Sequence, residues 1–373
     1  MSLNKKADDA LYVAVAKNDL ILLKELEKNG ADIHQDNDKA FLIACMTGNL
    51  EVLDYLLSRG LNVNTTSPAT WGATNYHVYG NGLSLAVTNE KWSVYDYLLE
   101  KGINLNLNDS LALQNLIVKG DLDRIKYLVS KGADVNASDA LINALMENQW
   151  EIAHYLIDET NIDIHANEDF ALRNSCVKNK FDIVKKLVEK GADVNAIPVI
   201  RRTVKMYGIN ETALTCAIAG DNWEIFNYLL ENGANPSINN QEPFLHYCKL
   251  MRFAPKSTVF LDYYINNKHV VFNDDVFEVV VKLKAVELLK FFLTEYDKVD
   301  IDKSELLQNK AIYQRNQTGA FDYLLNEGYQ LSQATRDMLT EDGDKSEFLK
   351  ILMKYDLGKE LPKQNNSNRI IKV

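Results

Sequence analysis

The stretch that decides the fold reads Ala40-Phe41-Leu42-Ile43-Ala44-Cys45-Met46-Thr47-Gly48-Asn49, then Leu50-Glu51-Val52-Leu53-Asp54-Tyr55-Leu56-Leu57-Ser58-Arg59-Gly60, then Leu61-Asn62-Val63-Asn64. The block from Ala40 to Cys45 predicts a short first helix, and Thr47-Gly48-Asn49 a turn that ends it. From Glu51 to Arg59, Val52, Leu53, Leu56 and Leu57 recur at helical spacing and share one face of a second helix. Gly60 supplies the left-handed backbone that stops it. Helices this short fall below the roughly 12–15 residues needed for marginal stability alone, so each must be held by its neighbours.

Outward from this stretch the same pattern returns. Leu22 to Gly30, Leu53 to Gly60, Tyr95 to Gly102, Ile125 to Gly132, Val184 to Gly191 and Ile225 to Gly233 each end a helix on glycine. The four residues after the glycine are also alike: Ala31-Asp32-Ile33-His34, Leu61-Asn62-Val63-Asn64, Ala133-Asp134-Val135-Asn136 and Ala192-Asp193-Val194-Asn195. Gly30 and Gly60, like Gly102 and Gly132, stand 30 residues apart, whereas Gly60 to Gly102 and Gly191 to Gly233 are each 42, one period plus 12 inserted residues. A period of this size is the mark of a stacked repeat array. About ten repeats and a cap are expected. Residues 1–240 hold the regular repeats, 241–332 divergent ones, 333–358 a capping repeat and 359–373 a polar tail.

The pattern A-L/F-x-x-A, then G-N-L-E-V-L-x-Y-L-L-x-x-G, then A-D-V-N resembles the ankyrin repeat. It departs from the commonest form in being about three residues shorter between helix pairs. The usual Thr-Pro-Leu-His start survives only in remnants, Thr212-Ala213-Leu214-Thr215 and Pro243-Phe244-Leu245-His246. Such short repeats look like the arrays common in giant DNA viruses and some intracellular bacteria. The resemblance implies an all-α helix-turn-helix solenoid that binds a partner protein, and the two insertions would stand out from it as long finger loops.

Composition agrees with a folded chain: 46% hydrophobic and 25% charged residues. The balance of 41 basic against 52 acidic residues gives −11, which disfavours general binding to nucleic acid. Cys45, Cys176, Cys216 and Cys248 form no C-x-x-C pair and read as small buried hydrophobes in a reducing compartment. The start turns polar at once, and no apolar run approaches the roughly 18 residues of a membrane span. A cytoplasmic location and no membrane contact are expected.

The two insertions are the best pointers to function. The first, Thr65 to Gly80, contains Trp71, Tyr76, His77 and Tyr79; the second, Ala196 to Asn210, contains Arg201, Arg202, Lys205 and Tyr207. Loops on a rigid scaffold carry recognition, and aromatic and arginine residues dominate binding energy at interfaces. Three cations without an acid between Ala196 and Asn210 stand out on an acidic chain and suit an acidic protein surface or a phosphate-bearing ligand. The competing reading is that each insertion packs its own aromatics into a local cluster.

Other conspicuous residues align with the repeat. Trp92, Trp150 and Trp223 occupy the place of Leu20, Leu50 and Leu122, and Tyr55, Tyr97, Tyr127, Tyr155 and Tyr228 share one position, so packing roles are expected. His34 and His165 sit where other repeats carry Asn and read as turn residues. No H-E-x-x-H, phosphate-cradling glycine loop or G-x-S-x-G is present. The expectation is therefore a non-catalytic module without cofactor or metal, an effector, adaptor or inhibitor binding a protein through its concave face and the two fingers. The alternatives are an enzyme with a novel site in 241–358, which strands there would favour, and an acidic nucleic-acid mimic.

Overall fold

A computed structural model of the chain describes residues 3–67, 80–198, 211–251, 259–296, 300–313, 317–341 and 345–355. Clustering of contacts divides it into two compact parts, Met1–Ser175 with Asp182–Asp193, and Cys176–Phe181 with Val194–Val373. Among the described residues the regular structure is helical, with no strand and one isolated bridge between Thr66 and Asn81.

Helices come in pairs, a first and a second in each repeat. The opening pairs are α1 (Leu3–Ala16) with α2 (Leu20–Lys28), α3 (Gln35–Thr47) with α4 (Leu50–Ser58), and α5 (Gly82–Thr88) with α6 (Trp92–Glu100). Then come α7 (Leu107–Lys119) with α8 (Leu122–Ser130), α9 (Ala140–Met146) with α10 (Trp150–Glu159), and α11 (Ala166–Val177) with α12 (Phe181–Glu189). The second part holds α13 (Ala213–Ala219) with α14 (Trp223–Glu231), α15 (Ile238–Met251) with α16 (Val259–Asn266), and α17 (Asp274–Lys282) with α18 (Val286–Thr294). A 3-10 turn (Lys303–Gln308) leads into α19 (Lys310–Tyr313) and α20 (Thr318–Asn326), and α21 (Gln333–Glu341) pairs with α22 (Ser346–Lys354).

First helices pack on first helices: α1, α3, α5, α7 and α9 in succession, and likewise α13, α15, α17 and α19. Their burial follows from that. Ala40 to Cys45 of α3 are all buried, as are Gly82 to Val87 of α5. Second helices bury a single stripe, Val52, Leu53 and Leu56 in α4 and Ile125 and Leu128 in α8, while Leu57 is half-buried. α3 and α5 are in close contact at Gly82, where a Cβ would lie 2.9 Å from Phe41 Cε1 and 3.0 Å from Cys45 Sγ. All four cysteines are buried, and no disulfide joins them.

The stop glycines act through conformation. Gly60 has φ +96, and a Cβ there would meet nothing within 4 Å. Where the glycine is missing the chain finds substitutes. Thr160 ends α10 in an extended conformation and its hydroxyl donates to the Leu156 carbonyl at 2.6 Å. Lys268 takes the left-handed conformation itself, at φ 54.

The shortened link between repeats has a specific backbone solution. Asp36-Asn37-Asp38, Asn167-Glu168-Asp169 and Asn239-Asn240-Gln241 are each three consecutive left-handed residues, with φ from 48 to 62. For most L-residues this conformation costs about 1–2 kcal/mol each, and Asn and Asp tolerate it best. Nearby groups pin these turns. The Tyr12 hydroxyl donates to Asp36 at 2.9 Å, and the buried Arg173 donates to the carbonyls of Asn167 at 2.8 Å and Glu168 at 3.2 Å. The two repeats that come after an insertion start differently. Asn81 and Thr212 are extended N-caps whose side chains accept from the backbones of Ser84 and Thr215.

Candidate partner-binding edge

The turns after the second helices are joined by a polar ladder. Within a turn, the first Asn or Asp side chain accepts the N–H two residues on: Asn62 from Asn64 at 2.9 Å, Asn104 from Asn106 at 3.0 Å, Asp134 from Asn136 at 2.8 Å. The last Asn then accepts an N–H from the next turn. Asn106 takes that of Asp134 at 2.9 Å, and Asn136 that of Asp163 at 2.7 Å. Each such rung is worth about 0.5–1.5 kcal/mol net.

Where His34 and His165 replace the terminal Asn, the rung moves. Each imidazole Nδ1 pairs with an aspartate four residues on, Asp38 at 2.8 Å and Asp169 at 2.9 Å. Those aspartates, the third residues of the left-handed turns, accept the N–H groups of Asn62 at 2.8 Å and Asp193 at 3.1 Å. Burial raises the Asp169 carboxyl above its usual range against the opposing pull of the Asp193 amide and His165. The histidines are turn residues, as their alignment predicts. Sequence alignment does not single out the aspartates behind them, although His-x-x-x-Asp at both sites is a visible clue.

The rungs on either side of the insertions reveal what the insertions do to the stack. Asn64 accepts the N–H of Asn104 at 2.8 Å across 40 residues, and Asn195 that of Asn235 at 2.7 Å, also across 40, against 28 between Asn106 and Asp134. Rung length is the same, so the turns before and after each insertion are tied as closely as those without one. At the base of the first, the Ser67 N–H donates to the Gly80 carbonyl at 2.8 Å and the Gly80 N–H to Ser67 Oγ at 2.7 Å. This is a two-stranded stem in miniature. Asn37 of the left-handed turn donates to the Thr66 carbonyl at 3.3 Å and steadies it. Trp71, Tyr76, His77 and Tyr79 of the first finger, and Arg201, Arg202, Lys205 and Tyr207 of the second, lie outside the described residues.

The repeated aromatics rivet second helices together. Tyr55 donates to Glu27, which also accepts Arg59 Nε at 2.7 Å. Burial would raise the Glu27 carboxyl, but these two donors hold it below its usual range. Tyr97 donates to Asp54 at 2.7 Å, and Tyr228 meets the edge of Phe181 at 5.4 Å. Trp92 is half-buried under the Arg124 guanidinium, 3.7 Å from its ring centre, and Trp223 stacks on Phe226 at 5.5 Å.

In the stretch 241–358 the described residues form helix pairs without strands. No group of three or more His, Cys, Asp or Glu among the described residues could hold a metal ion. In the same stretch the Glu242 carboxylate accepts both Thr212 and Thr215 hydroxyls. Burial raises it, opposed by those hydroxyls and by His246 nearby. Among the described residues no helix is long and apolar enough to cross a membrane.

The family model described as ankyrin repeats (3 copies) matches residues 113–198 and 144–240. An ankyrin repeat protein of Acanthamoeba polyphaga mimivirus is 26% identical over 231 residues, 62% of this chain and 62% of its own. A second ankyrin repeat protein of that virus is 34% identical over 87 residues, 22% of this chain and 14% of its own. Alpha-latrocrustotoxin-Lt1a of Latrodectus tredecimguttatus is 35% identical over 79 residues, 19% of this chain and 6% of the toxin. The chain thus spans about three fifths of the length of the first of these relatives and far less of the others. Family match, helix pairs and laddered turns agree: residues 113–240 match the ankyrin repeat family, and the described helix pairs on either side have the same repeat architecture.

Proposed function

We propose that the chain binds a partner protein through its concave face and the two fingers, 65–80 and 196–210, as a non-catalytic effector, adaptor or inhibitor. Ankyrin repeats are generally protein-interaction modules, and that coarser role is carried by the family itself. The ladder supports the finger assignment. A rung of 2.8 Å closes over the first insertion and one of 2.7 Å over the second, so neither insertion is needed to join its repeats. Trp71, Tyr76, His77 and Tyr79 would supply apolar contact, and Arg201, Arg202, Lys205 and Tyr207 a basic tip for an acidic patch. No cofactor or nucleic acid enters this reading, and the site of action is the cytoplasm of the producing cell or of an infected host.

The test is affinity capture from the native cell with wild type, with Trp71→Ala and with Arg201→Glu plus Arg202→Glu. A prey lost with each variant, while thermal stability is unchanged, is the expected result. Prey retained by both variants sinks the finger assignment. Loss of stability in Trp71→Ala assigns that ring to packing.

A further inference from the structure

Along the second helices of the second part runs a groove of about 630 Å³, walled by α18 and α20 and closed at one end by Tyr355. Its origin can be read in the repeat. α14 and α18 begin on Trp223 and Val286, but α20 begins on Thr318-Gly319, so no bulky side chain fills the space beside Val286. A Cβ on Gly319 would come within 3.2 Å of Val286 Cγ2, so α20 approaches α18 closely there. Half-buried Phe291 and Tyr323 supply the wall.

The charge lining this groove reverses the pattern of the array. The C-cap residues of α4, α6 and α8 are Arg59, Lys101 and Lys131, cations at the negative end of the helix dipole. Those of α18 and α20 are Glu295 and Glu327, exposed carboxylates at the end that disfavours them. Inside the groove Glu287 pairs with Lys290 at 2.8 Å and Asp322 with Lys354 at 3.0 Å. Glu295 and Glu327 have no ion pair among the described residues, which leaves the groove two negative charges in excess. The Lys290 ammonium lies over the Tyr323 ring at 5.7 Å, so the groove already seats one cation on that wall. Its two further carboxylates, two helix C-termini and the Phe291 ring are complementary to another cation with an apolar neighbour.

We propose that this groove docks a basic segment of a partner protein, an Arg or Lys side chain reaching Glu295 and Glu327 while an adjoining apolar residue lies against Phe291. This proposal uses none of the finger residues and stands whether or not they bind.

The experiment titrates the full chain against a short fluorescein-labelled peptide of alternating arginine and leucine, read by fluorescence anisotropy. Glu295→Gln with Glu327→Gln should weaken binding about tenfold, the effect of two modest ion pairs. Phe291→Ala, which removes an apolar wall, should weaken it too. Glu51→Gln with Glu151→Gln, exposed acids on α4 and α10, should leave it unchanged. The paired Glu295 and Glu327 change should also raise the melting temperature of the free protein slightly, since it relieves both helix ends. Equal loss in the two double variants means the peptide reads only net charge, and overturns the proposal. So does binding that tightens tenfold on removal of residues 359–373. That outcome hands the groove to the chain's own basic end, which carries Lys359, Lys363, Arg369 and Lys372.

Discussion

Asp169 offers the sharpest test of how these short repeats are joined, because the left-handed turn makes glycine and alanine change places. The residue is 5% exposed with φ 54; its carboxylate accepts the Asp193 N–H at 3.1 Å and pairs with His165 at 2.9 Å. Asp169→Gly removes both interactions but relaxes the backbone, so a loss of about 1–2 kcal/mol is expected. Asp169→Ala removes the same interactions and adds about 1 kcal/mol of left-handed strain, for a loss of about 2–3 kcal/mol. Asp169→Asn keeps an acceptor and the backbone tolerance, and should cost under about 1 kcal/mol. In an ordinary helical position the order reverses, alanine being better than glycine by about 1 kcal/mol. The two backbone readings therefore differ by about 2 kcal/mol in the Gly-to-Ala difference.

Urea unfolding followed by circular dichroism supplies the ranking, provided the slopes match. Hydrogen exchange at the Asp193 amide adds a local reading. Protection should survive in Asp169→Asn and fall in the other two. An alanine variant as stable as, or more stable than, the glycine variant refutes the left-handed turn.

Three further outcomes rest on named contacts. Gly82→Ala should lose about 1–3 kcal/mol by overpacking, since its Cβ would fall 2.9 Å from Phe41 and 3.0 Å from Cys45; an unchanged melting temperature shows that α3 and α5 have room to spare. Glu242 is raised by burial, so it favours folding below its unfolded value of about 4.3 and loses that contribution as pH climbs through the folded one. Glu242→Gln should accordingly gain stability relative to wild type at pH 7 and not at pH 4, in paired thermal melts at the two pH values. Replacing residues 68–79 with a short glycine link should change the stability by less than about 0.5 kcal/mol, since the Asn64–Asn104 rung and the Ser67–Gly80 pair stay in place, and a larger loss would make the finger part of the core.

The repeat was legible because its cause is local and recurrent. An apolar stripe and a glycine in register at Gly30, Gly60, Gly102, Gly132, Gly191 and Gly233 leave one architecture that buries those stripes. The joints were not legible from periodicity. Asp36-Asn37-Asp38 reads simply as a polar turn, because nothing in hydrophobic spacing distinguishes three left-handed residues from an open loop. The rungs carried by Asp38 and Asp169 escaped for a related reason. Both partners are polar, one is a backbone amide 24 residues away, and only the fold brings them together. The groove at Glu295 and Glu327 was hidden more deeply, since helix caps had to be assigned before an acid could be seen in the place of Arg59, Lys101 and Lys131.

The ladder also explains why an array of this kind can carry fingers at all. Closing a loop costs free energy that grows only with the logarithm of its length. Lengthening the span between tied turns from 28 to 40 residues adds about 0.3 kcal/mol, less than one rung returns. The insertion therefore asks little of the stack, provided it leaves the two tied groups in place. It does so by changing the start of the next first helix. A left-handed turn, which needs the short link, gives way to the extended N-caps Asn81 and Thr212, which do not. At the first insertion the sequence is then constrained at the stem, where Ser67 and Gly80 hold each other by two hydrogen bonds.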